Sequence, residues 1–226
     1  MTYKKGIFFM VKKMIIAVLI LSGLLLISSP LMKGCLIAYL SKSQIESELT
    51  AEQARKNNMK KADYNFESIH PPGFRETVQS SFNRKSKPII GRITISSIDL
   101  DLPILKGTTN ENLLIGAATM RPDQKMGEGN YPLAGHHLKQ ENLLFGPLLH
   151  IKKGAQIVMT DFRKDYIYSV TSKTMISEIE ANAIQETKDK EITLITCDKA
   201  VRTEGRLAVK GKLIDISGHS NVSRPS

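Results

Sequence analysis

The sequence has no tryptophan, only two cysteines, and aromatic residues at just 6% of its length. The missing tryptophan does not suggest a sandwich built around a buried indole. Two cysteines are too few for the disulfide framework of an exported domain. Pairing Cys35 with Cys197 would tie a segment beside an apolar run to a core strand, and neither has the local spacing of a zinc site. Carboxylates are scarce too: 22 Asp and Glu stand against 32 Lys and Arg, a formal net charge of +10. The basic residues are not interleaved with aromatics and form no recognition-helix pattern, so nucleic acid is a poor partner. An anionic membrane or wall surface suits the charge better. No internal repeat is present.

One long apolar run does occur, from Met14 to Met32, free of charge and interrupted by Ser22, Gly23, Ser28, Ser29 and Pro30. At about 1.5 Å per residue it reaches roughly 28 Å, close to a hydrocarbon core. Lys4, Lys5, Lys12 and Lys13 precede it and favour a cytoplasmic amino end. The expectation is a cytoplasmic basic segment over 1–13 and a transmembrane signal-anchor helix over 14–32. The protein would then be single-pass in the cell membrane, with its carboxyl-terminal bulk outside. A cleaved signal peptide fits less well, because the run is long and lacks a clear small-x-small site. A lipoprotein reading of Leu31-Met32-Lys33-Gly34-Cys35 puts Lys33 where a small residue belongs.

Residues 33–87 read as an extracellular polar stalk, with Pro71-Pro72-Gly73 in its middle. Ile45, Leu49 and Ala54 permit a helix over 43–61 but give it no wide apolar stripe. Strand signals fill 88–217, and 218–226 is a polar tail. The hydrophobic content of 41% suffices for one core of ordinary size. Ile89–Ile95 and Leu100–Leu105 are short, β-branched and separated by a turn, as in a hairpin-like pair. Short helices are expected over Thr108 to Ile115 and across Leu143 to Ile151. Further strands are expected at Asn130–Gly135, Gln156–Thr160, Tyr166–Ser177, Glu191–Thr196 and Arg206–Ile216. Seven or eight short strands with few helices suggest a mainly β fold closed into a barrel.

Cys197 ends the β-forming run Ile192-Thr193-Leu194-Ile195-Thr196 and precedes Asp198-Lys199-Ala200. A thiol at a rigid strand end that opens into a loop is held as a nucleophile must be. A lone cysteine there is also an ordinary small core residue. A catalytic thiol needs a proton-transfer partner. Among the five histidines, His70 lies in the stalk, His219 in the solvated tail, and His150 on a short helix. His136 and His137 sit at a strand end across Gly135, which permits close backbone approach. An oxyanion formed at the thiol needs a donor. Arg202 lies within a turn, whereas Arg206 opens the strand Leu207-Ala208-Val209 and is fixed by the sheet.

Leu133-Ala134-Gly135-His136, Thr193-Leu194-Ile195-Thr196-Cys197 and Arg206 together resemble the sortases of Gram-positive bacteria, and within them the LPXTG-specific class A. The resemblance covers roughly residues 86–217, and the Cys pentapeptide matches the family pattern TLxTC. It implies a closed eight-stranded β-barrel and transpeptidation at the outer membrane surface. The partners it implies are LPXTG-bearing surface proteins and an amine of lipid II or the peptidoglycan cross-bridge. By the same resemblance Cys197 is the nucleophile, His136 the general acid and base, and Arg206 the donor to substrate backbone or oxyanion; His137 is the neighbour. Ala134, Ala181, Ala183, Ile184, Ile195 and Thr196 match the groove for the Leu-Pro part of the signal. Some class A members bind calcium through acidic loops. Here Arg121, Pro122, Asp123, Gln124 and Lys125 occupy the first of those loops, so calcium is not expected as a cofactor. A Cys–His pair without an evident carboxylate implies slow turnover and a bell-shaped pH profile. A class C pilin-polymerising sortase is the alternative, but 41–87 lacks an Asp-Pro-aromatic lid motif and the chain ends in a polar tail. An anchored β-barrel binding protein with a structural Cys197 is the non-enzymatic alternative, and an inert, buried thiol would mark it.

Overall fold

Strands that turn apolar side chains toward a common core gain most when a sheet closes on itself and leaves no edge. The structure, a computed structural model, describes residues 2–45, 49–65, 69, 73, 87–201 and 203–219, with the side chains of 2–11, 24–31, 45 and 181 outside that description. Its strands are β1 (Ile89–Ile95), β2 (Leu100–Leu105), β3 (Ala117–Thr119), β4 (Asn130–Ala134), β5 (Gln156–Thr160), β6 (Lys164–Ser177), β7 (Glu191–Cys197) and β8 (Gly205–Gly218). They close in the order β1-β2-β3-β4-β7-β8-β6-β5. Pairing is antiparallel except for β2 with β3 and β4 with β7, which run parallel.

The barrel interior is filled from every strand. Ile93, Ile95, Ile104, Leu133, Tyr168, Leu194 and Val209 are buried there with Phe145 and Leu148. Tyr131 and Tyr168 are fully enclosed, and burial pushes both phenols up in pKa, Tyr168 to about 12. The strand runs expected at β1, β2 and β5 have the observed limits. The turn between β1 and β2 closes through Asp99, whose φ of 51° is left-handed, a conformation that Asp tolerates better than most residues. The helix expected over Thr108 to Ile115 contracts to α3 (Asn110–Leu113; the longer helices come below), capped by the Thr109 hydroxyl on the Asn112 amide. A 3-10 turn, Gly146–His150, occupies the expected second helix.

Two expectations are corrected at the amino-terminal side. The run from Met14 to Met32 lies inside one helix, α1 (Thr2–Ile45), yet among the described residues no helix is long and apolar enough to cross a membrane. The transmembrane anchor, the membrane partnership through it and the single-pass topology at the cell membrane fall with that finding. Within that helix the Ser22 hydroxyl donates to the Leu19 carbonyl at 2.9 Å. The carboxyl-terminal end of α1 is instead an ordinary packing helix: Gly34, Ile37, Leu40 and Ser41 are buried along one stripe. Beyond it, α2 (Ala51–Asn58) begins in a capping box between Thr50 and Gln53. Its buried Asn57 donates to the Ile89 carbonyl at 2.9 Å, so this part of the segment read as a stalk is docked on β1.

Candidate active site

The parallel ladder of β4 and β7 places Ala134 opposite Ile195, and the antiparallel ladder of β7 and β8 places Cys197 opposite Arg206. Two bonds carry the first pairing past the end of β4. The Gly135 amide donates to the Ile195 carbonyl at 3.1 Å, and the buried Thr196 hydroxyl donates to the Gly135 carbonyl at 2.7 Å. Continuing that register by one residue sets His136 beside Cys197. Neighbouring strands lie about 4.8 Å apart. The structure therefore brings His136, Cys197 and Arg206 into one line across three adjacent strands, at the rim where the strands end.

Gly135 is required at this turn because a Cβ there would strike the Phe145 ring. The Phe145 amide in turn donates to the His136 carbonyl at 3.0 Å, fixing the backbone of the histidine. His136 and His137 are both buried. His137 Nδ1 lies 3.0 Å from the Cys197 carbonyl oxygen. A carbonyl only accepts, so Nδ1 carries the proton and His137 clamps the backbone of the thiol residue. The other histidines are elsewhere. His150 is exposed beside Glu141, and His219 is not solvated as expected but lies 2.7 Å from Asp165. His70 and Arg202 lie outside the described residues.

Cys197 is half-buried, and burial pushes its thiol pKa up; Arg206 pulls it down, while Asp198 and Glu178 push it further up. The net direction is upward, so the resting side chain is a neutral thiol. Arg206 is held on three acceptors: Nη1 donates to the carbonyls of Thr203 and Gly205 at 2.6 and 2.9 Å, and Nη2 to Glu178 at 2.6 Å.

Strand alternation decides what else shares this face. Leu194 and Val209 point into the barrel core, so Ala134, Ile195 and Ala208 share the outer face with Cys197 and Arg206. Thr196 points the opposite way and serves the Gly135 backbone. Ala183 and Ile184 of the 3-10 turn Ala181–Ile184 are half-buried, while the side chain of Ala181 lies outside the described residues. Two residues not singled out as site residues hold that turn to β4. Asn130, fully buried, donates to the carbonyls of Ala183 and Gln185 at 3.0 and 2.9 Å and accepts from Thr193 at 2.8 Å. Arg121 donates to the Ile184 carbonyl at 3.1 Å and pairs with Asp123 and Glu186. Among the described residues no cluster of three His, Cys, Asp or Glu side chains could hold a metal. The two carboxylates here already face a guanidinium, a donor set that does not fit Ca²⁺.

The "Sortase domain" family model matches residues 93–214. Sortase A of Listeria monocytogenes is 43% identical over 204 residues, covering 90% of this chain and 92% of that protein. Sortase A of Bacillus anthracis is 38% identical over 146 residues, with 65% of this chain and 69% of that protein covered. The crystal structure of the Listeria monocytogenes sortase A superposes with a TM-score of 0.58 at 47% identity, over 59% of this chain and 92% of that one. A matching domain, two extended alignments and a common barrel establish that the chain belongs to the sortase family of cysteine transpeptidases and is similar to its class A enzymes.

Proposed function

We propose that the chain cleaves an LPXTG-type sorting signal between Thr and Gly and transfers the surface protein to a cell-wall precursor amine. The observation that carries this reading is the alignment of His136, Cys197 and Arg206 across β4, β7 and β8. Burial leaves the Cys197 thiol neutral at rest, so the first event is proton transfer from its Sγ to the His136 imidazole. The thiolate then attacks the Thr carbonyl carbon, and Arg206 donates to the oxyanion or to the adjacent substrate backbone. The C–N bond breaks as His136 returns the proton to the Gly amine, leaving the surface protein as a thioester on Cys197. An amine of lipid II or of the peptidoglycan cross-bridge attacks the thioester, with His136 taking its proton, and the free thiol is regenerated. Ala134, Ala183, Ile184, Ile195 and, by their place on the same loop and strands, Ala181 and Thr196 form or support the groove for the Leu-Pro part of the signal.

The thiol needs a base and the departing amine needs an acid, and here one imidazole serves both. Turnover is therefore slow and its pH profile bell-shaped. The test is cleavage of an LPETG-type peptide by the His136→Ala protein, followed by mass spectrometry. A loss of at least about a hundred-fold is expected for a general acid–base residue; wild-type rates would remove His136 from this role.

A further inference from the structure

The head of Arg206 is aimed by another side chain. Glu178 is the first residue after β6, in whose ladder with β8 Ile176 faces Arg206 and Ser177 faces Gly205. The Glu178 amide donates to the Glu204 carbonyl at 2.8 Å, so the ladder continues one residue further and delivers the carboxylate to Arg206 Nη2 at 2.6 Å. Arginine at a strand end has many rotamers unless its planar head is held, and a carboxylate holds it with direction as well as charge. The same carboxylate offsets the positive charge that Arg206 presents to Cys197: Arg206 draws the thiol toward ionisation and Glu178 opposes it.

We propose that Glu178 is a positioning residue for the transfer reaction, holding Arg206 in line with Cys197 while damping the charge of its guanidinium. This rests on the roles given above to Cys197 and Arg206. Two substitutions separate the two effects. Glu178→Gln keeps an acceptor for Nη2 and removes the charge. Glu178→Ala removes both and leaves the guanidinium held only through Nη1 on the Thr203 and Gly205 carbonyls.

The experiment uses the full chain. Its readouts are kcat and KM with an LPETG-type peptide and an amine acceptor, and, without peptide, the iodoacetamide alkylation rate of Cys197 at neutral pH, resolved from Cys35 by peptide mass spectrometry. The charged groups acting on the thiol in this assay include Arg206, Asp198 and Glu178, and the titratable imidazole of His136 stands beside it in every variant. For a charge-assisted hydrogen bond that is partly exposed, Glu178→Ala is expected to lower kcat about three- to ten-fold with KM changed less than about two-fold. Glu178→Gln recovers most of kcat, and its Cys197 alkylates about two- to three-fold faster than wild type, as an unmasked guanidinium requires. Wild-type kcat in Glu178→Ala overturns the proposal, as does Glu178→Gln alkylation no faster than wild type. A wild-type chain that transfers no peptide would contradict the proposed function instead. The alkylation rates of the two variants would still decide whether Glu178 damps Arg206.

Discussion

A nucleophilic thiol is often pictured as pre-ionised, yet Cys197 sits where burial and two nearby carboxylates favour its neutral form, with only Arg206 opposing them. A fold that prefers the protonated thiol gains stability from it below the ordinary thiol pKa, and loses that contribution as the pH rises through the raised folded value. Reactivity runs the other way, because only the thiolate is alkylated. Alkylation of Cys197 by iodoacetamide is therefore expected to be slow at pH 7 and to keep rising as the pH passes the ordinary thiol range. Peptide mass spectrometry of a pH series reads both. A Cys197 that labels fully and fast at pH 7 would show that the thiolate is already formed. Of the residues around it, Cys197 and Arg206 stand out in the sequence at strand boundaries, whereas His136 is separated from His137 only by the family resemblance. The clamp of His137 on the Cys197 carbonyl could not be read there, since nothing in His136-His137 says which ring turns toward β7.

Where β4 ends, the ladder to β7 is prolonged by the Gly135 amide, and the Phe145 ring closes over the glycine. Gly135→Ala forces the ring and the strand end apart. Overpacking of this kind costs about 1–3 kcal/mol, read as a lowered urea midpoint with unchanged m-value. Activity should fall further than stability, because the same shift carries His136 away from Cys197; full activity with unchanged stability would mean that the turn has slack. β1, β2, β5 and β7 were legible because short apolar runs bounded by turn signals are written locally. β3 was not: Ala117-Ala118-Thr119 has small side chains, and only its pairing with β2 and β4 makes it a strand. The strap of Asn130 and Arg121 on the turn Ala181–Ile184 was hidden for a related reason, since its partners lie more than fifty residues apart in sequence and their register is a property of the closed sheet.

The pairing of β4 with β7 and of β7 with β8 joins three strands that are far apart in sequence, and so turns distant residues of the chain into one rim. The apolar run before the barrel taught the opposite lesson. Length and lack of charge suggested a membrane span, but among the described residues no helix is long and apolar enough for one; the part of α1 that packs, Gly34 to Ser41, lies past the run. What joins fold to chemistry is the claim that Cys197 carries the cleaved signal as a thioester. Intact mass spectrometry of the full chain mixed with an LPETG-type peptide, without an acceptor amine, tests it most directly. The expected result is a mass increase equal to the peptide up to its Thr, mapped to Cys197, discharged by hydroxylamine and absent in Cys197→Ala. Cleavage of the peptide with no adduct on Cys197, or undiminished in Cys197→Ala, would contradict it.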